Sequence, residues 1–116
     1  MRIFKAMRAS AKGLAAAIRY EASFRSELLL ALVVLPAGLW FGNSPLEKLA
    51  LTAPMLLVLI IELVNSAIEA AIDRVGIEVH ELSGRAKDLG SAAVFFSLLL
   101  LALSWLLILG TRWALF

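Results

Sequence analysis

Leu89 to Thr111 runs for 23 residues without a charged side chain. A helix needs only roughly 20 apolar residues to cross the hydrocarbon core of a bilayer. Two more segments read the same way. Leu28 to Phe41 is uncharged and reaches spanning length if it extends back to Ala22, which brings Arg25 and Glu27 to the interface or against protein. Leu46 to Ile61 continues without a helix breaker to Val75. Between these two, Gly42 to Pro45 is a tight turn with Asn43 or Ser44 placed to cap the next helix. Gly76 to Gly84 is a polar connection in which Ser83 can cap the last helix. The expected membrane helices are 22–41, 46–75 and 86–111.

The whole chain agrees. Of its 116 residues 62% are hydrophobic, against roughly 45–50% in soluble domains. A soluble fold of this size has too few polar groups to cover that much apolar surface. The length suits one domain, 1–116. The absence of cysteine rules out disulfides, thiolate metal sites and cysteine nucleophiles. A single histidine cannot build a multi-imidazole zinc site. Any metal must therefore be a hard ion held by carboxylates.

Residues 1–20 fit an amphipathic helix. Ile3, Phe4, Met7, Ala11, Leu14 and Ile18 share one arc, and Arg2, Lys5, Arg8, Lys12 and Arg19 occupy the other. Such a basic helix lies in the membrane interface. A signal peptide is the poorer reading, because the first long apolar run begins only at Leu28. The N-terminal arm and the second connection hold Arg2, Lys5, Arg8, Lys12, Arg19, Arg25, Arg74, Arg85 and Lys87. The opposite side holds Lys48 and Arg112. This asymmetry places the N-terminus and that connection in the cytoplasm and the C-terminus outside.

The informative polar residues lie at the cytoplasmic end. On a helix Glu62, Asn65, Glu69 and Asp73 fall on one stripe, with Ser66 at its margin. A solvated helix end accounts for Asp73 but not for Glu62, which follows a long uncharged run. Ionised groups at that depth face protein or a wet cleft. Glu21 and Glu27 sit where the surface helix meets the first span, at the same level, with Arg25 between them. Carboxylates from two elements at one level can hold Mg²⁺, which completes its shell with water and phosphate oxygens. For Glu27 and Arg25 a plain salt bridge is an equal alternative. His80 to Asp88, HELSGRAKD, brings Arg85 and Lys87 to a helix N-terminus, a setting that attracts phosphate. No G-x-x-x-x-G-K-[ST] loop exists, which excludes a P-loop nucleotidase. Metal-binding acids, phosphate-binding bases and a deep carboxylate suited to act as general base together point to phosphoryl transfer at the bilayer surface. They do not identify the acceptor.

E-x-x-N-S-A-I-E-x-x-x-D from Glu62 to Asp73, followed by E-x-H-E-L-S-G-R-A-K-D-x-G-S-A-A from Glu78 to Ala93, resembles the prokaryotic diacylglycerol kinases. E-A-S-F-R-S-E, Glu21 to Glu27, is similar to their first block. The likeness extends over essentially the whole chain. It implies an all-α membrane protein, a surface helix plus three transmembrane helices, assembled as a homotrimer in the inner membrane. It also implies transfer of the γ-phosphate of MgATP to diacylglycerol. By position, Glu62 is then the general base and Asn65 holds the site together beside it. Glu21 and Glu69 bind Mg²⁺ and, with Arg2, Glu78, His80, Lys87 and Asp88, the ATP. Ser91 and the stretch Ser23, Phe24, Arg25 to Glu27 line the lipid side with Glu62. Two positions depart from the family: Ala9 stands where some relatives carry tyrosine, and Tyr20 where asparagine is usual.

The sister group that phosphorylates undecaprenol shares the carboxylate stripe. The HELSGRAKD-x-GSAA stretch favours the diacylglycerol branch. A proton or cation pathway is a rival of another class, but the acids gather at one face and the last span carries no charge. In a purely structural subunit, polar residues would serve only to join helices.

Overall fold

The computed structural model describes residues 1–76 and 80–113, and every regular element among them is helical. In chain order these are α1 (Arg2–Tyr20), α2 (Ala22–Phe41), α3 (Pro45–Val75) and α4 (Glu81–Arg112). The last three are long and apolar enough to cross a membrane. With 20 residues, α2 has a length of about 30 Å. With 31 and 32 residues, α3 and α4 exceed the bilayer core, roughly 30 Å thick, by several turns. The polar stripe of α3 lies in its C-terminal half.

The central helix is α3, with α2 and α4 packed on it and α1 held mainly through α2. The shared core is small: Ala31, Met55, Val58 and Leu101, bordered by Val34, Leu35, Leu59, Leu98 and Trp105. Trp105 belongs to this packing, and its indole N–H donates to the Leu51 carbonyl at 3.0 Å. Trp40 is largely exposed, as are Leu29, Leu32, Val33, Phe95, Phe96 and Leu106. A lone water-soluble chain would bury such residues; lipid or further protein can cover them. Close approach of α2 to α3 depends on Gly38, where an added Cβ would stand 2.8 Å from the Thr52 methyl.

Helix α1 runs unbroken through Gly13 and leaves Ile3, Phe4, Met7, Leu14 and Ile18 exposed, the apolar face expected of an interfacial helix. Ser44 caps α3, its hydroxyl accepting from the Glu47 N–H at 3.1 Å, while the Glu47 carboxylate accepts from the Asn43 N–H at 3.0 Å. The cap of α4 differs from the sequence expectation. Glu81 starts the helix and His80 caps it, Nδ1 accepting from the Leu82 N–H at 3.1 Å, so Ser83 lies inside the first turn. The helix begins earlier than residue 86 because an imidazole at the cap position already satisfies a first-turn donor.

At the far end from the stripe, Arg112 closes the bundle. Its guanidinium donates to the Phe41 carbonyl and to Glu47, joining the ends of α2, α3 and α4. In the amide orientation its neighbours require, Asn43 accepts from the same guanidinium. The pair is half-buried, and removing the arginine leaves a carboxylate and a carbonyl short of donors. Arg112→Ala should lower stability by about 1–3 kcal/mol, read as an earlier thermal unfolding midpoint in detergent micelles. An unchanged midpoint would show that the clamp contributes nothing.

Candidate active site at the polar end of the central helix

The α1–α2 junction is one extended residue, Glu21, with φ −113° and ψ 104°. Arg25 fixes the corner. Its guanidinium donates to the Ile18 and Arg19 carbonyls at 2.9 and 3.2 Å, satisfying the open end of α1 with a cation where the helix dipole is negative. The salt-bridge alternative for Glu27 and Arg25 therefore does not hold. Arg25 is occupied with backbone, and Glu27 faces the Glu62 carboxylate instead.

Glu62 is 4% exposed, and Asn65, one turn on, is 8% exposed. Glu27, Glu69 and Glu21 all lie within the electrostatic field of Glu62, and the Ser23 side chain stands beside it. Carboxylates of α2, α3 and the junction thus all bear on the charge of Glu62. Their mutual repulsion opposes folding unless a cation or a shared proton offsets it. Clustered carboxylates of this kind mark a candidate functional site.

The Asn65 amide orders part of this cluster. Nδ2 donates to Glu69 Oε1 at 3.1 Å, fixing one carboxylate oxygen and leaving the other free. Glu69 is half-buried, and Glu21 borders a groove with Leu63, Ser66, Ala67 and Ala70 of α3 and the small face of α1 at Gly13, Ala16 and Ala17. Among the described residues no three acidic or imidazole groups stand close enough to cage a cation alone. Mg²⁺ takes one or two protein carboxylates and leaves its remaining positions to water and phosphate oxygens. The donors are carboxylate oxygens, the hard ligands such an ion prefers.

The remaining candidates are distributed around this centre. Lys87 of α4 reaches back to α3, Nζ donating to Asp73 Oδ1 at 2.8 Å across the connection. His80 uses Nδ1 for its cap bond, and among the described residues Nε2 has no partner. Asp88 and Ser91 are exposed on α4. Phe24 is buried at 1% exposure and anchors the start of α2, whereas Ser23 is exposed. Glu78 lies outside the described residues. Arg2 stands at the opposite end of α1 from Glu21, about 28 Å away at helical rise. A single chain therefore does not bring Arg2 to the carboxylates. Sequence reasoning named Asp73 and Arg25 but missed two of their contacts: Asp73 with Lys87, and Arg25 with the Ile18 and Arg19 carbonyls. Only the i, i+4 spacing of Asn65 and Glu69 carried a visible pairing signal.

Comparison with known proteins identifies the family. The family model for prokaryotic diacylglycerol kinase matches residues 8–109. A protein named diacylglycerol kinase from Escherichia coli is 44% identical over 111 residues, covering 96% of this chain and 91% of its own. One of the same name from Pseudomonas aeruginosa is 46% identical, with 93% and 88% covered. A third, from Helicobacter pylori, is 38% identical, with 90% and 81% covered. With three helices long and apolar enough to cross a membrane and matches that span nearly its whole length, the chain belongs to the prokaryotic diacylglycerol kinase family.

Proposed function

We propose that the protein transfers the γ-phosphate of MgATP to the hydroxyl of diacylglycerol, yielding phosphatidic acid and ADP. The observation that carries this reading is the burial of Glu62 beside the Asn65–Glu69 pair at the polar end of a membrane helix. A lipid hydroxyl arriving from the bilayer meets that depth first. The Glu62 carboxylate accepts the hydroxyl proton as the oxygen attacks the γ-phosphorus. One P–O bond forms to the lipid, the bond to the β-phosphate bridge breaks, and ADP leaves with the electron pair. Glu21 and Glu69 hold Mg²⁺, whose charge, when bound, offsets that of the ATP phosphates. Asn65 keeps the Glu69 carboxylate in place.

His80, Lys87, Asp88, Glu78 and Arg2 contact the nucleotide in this reading, and Ser91 with residues 23–27 borders the lipid. The roughly 28 Å between Arg2 and Glu21 along α1 favours a site completed by another copy, in keeping with a homotrimer. The chain forms one domain in the inner membrane, with its N-terminus and site cytoplasmic and its C-terminus outside. The excess of lysine and arginine at that end supports the orientation.

Supplying diacylglycerol and undecaprenol in competition, in mixed micelles with γ-labelled ATP, tests the acceptor. Phosphatidic acid should take most of the label. Preferential labelling of undecaprenol would keep the mechanism and assign the other lipid.

A further inference from the structure

Glycine inside a helix lowers its stability by roughly 0.5–1 kcal/mol relative to alanine, yet Gly90 lies well inside α4 and is buried. The space around it explains why. A Cβ built at Gly90 would overlap Asn65 Oδ1 and stand 3.0 Å from Asn65 Cγ. Gly13, Gly38, Gly42 and Gly84 meet no residue of the carboxylate cluster in this way.

The orientation of the Asn65 amide follows from chemistry. A carboxylate accepts, so the atom facing Glu69 must be Nδ2, which leaves Oδ1 turned toward α4. That oxygen is buried and has no hydrogen-bond donor among the described residues. The α-hydrogen of Gly90 that occupies the place of the missing Cβ is directed at it, a weak Cα–H···O contact. The amide is therefore gripped from two sides, by Glu69 on its own helix and by bare backbone on the next.

We propose that Gly90 is a positioning residue: by presenting backbone rather than a side chain to Asn65, it sets the amide that holds the Glu69 carboxylate. Resting on the kinase reading, this makes the α3–α4 contact part of metal and nucleotide binding. A methyl group at position 90 pushes Oδ1 away, turns Nδ2 from Glu69, and frees that carboxylate to swing.

The test is a double-mutant cycle in the full-length protein in mixed micelles. Gly90→Ala should slow phosphate transfer, on the order of 10- to 100-fold as for other small displacements in a site. It should also raise the Mg²⁺ concentration needed for half-maximal rate. In an Asn65→Ala background the same change should add less than about twofold, since sites coupled through one contact are not additive. The side-chain amide resonance of Asn65, assigned by its loss in Asn65→Ala, should move in Gly90→Ala. If Gly90→Ala does not fold, restoration of the fold in the double variant supports the clash, and failure of both overturns it. An unmoved amide resonance with native Mg²⁺ dependence would overturn the proposal. So would an equal loss of rate in both backgrounds. A native protein that transfers no phosphate would refute the kinase reading, while the amide resonance would still report on the Gly90–Asn65 contact.

Discussion

Glu62→Gln should abolish phosphate transfer, by about 10²–10⁴-fold, while MgATP binding stays largely intact. Glutamine matches glutamate in shape, so the buried position beside Ser23, Glu27 and Glu69 stays filled. What is lost is the ability to take a proton from the lipid hydroxyl. The variant should show a reduced kcat with nearly native nucleotide affinity by calorimetry. A lost transition-state interaction has that signature, and lost substrate binding does not. Turnover close to the native rate would remove Glu62 as the base.

Glu69→Gln should fail differently. Asn65 Nδ2 can still donate to the new amide oxygen, so the local packing survives. The negative charge does not, and a hard cation loses one of its few protein ligands. The Mg²⁺ requirement should rise and nucleotide binding should weaken together, on the order of tenfold or more for a lost charged contact. Titrating activity against Mg²⁺ at fixed ATP reads this directly. An unchanged Mg²⁺ dependence would take Glu69 out of the metal site. The two variants separate proton transfer from charge neutralisation, which the clustering of the carboxylates alone cannot do.

Much of the architecture was legible in the residues because a bilayer imposes simple rules. The uncharged run from Leu89 to Thr111 had to become a helix, since its backbone groups have no other partner in lipid. Ser44 three residues before Glu47 carried the cap of α3 openly. Glu62, Asn65 and Glu69 share a helical face whatever the tertiary structure, and the Asn65–Glu69 bond follows from that spacing. Contacts between elements were not legible. Nothing local marks Arg112 as the partner of Glu47, or Lys87 as that of Asp73, because both pairs depend on how long helices cross. The His80 cap was missed because serine is the commoner cap residue, and Ser83 was nearby. The role of Gly90 is an empty volume, which becomes visible only when Asn65 is seen to fill it.

Phosphate transfer itself tests the central claim most directly. Purified protein in mixed micelles would be given diacylglycerol, Mg²⁺ and γ-labelled ATP, with no other enzyme present. The account predicts labelled phosphatidic acid that accumulates only with Mg²⁺. Absence of labelled lipid, together with cation flux through vesicles carrying the protein, would contradict it and make the carboxylate stripe an ion pathway.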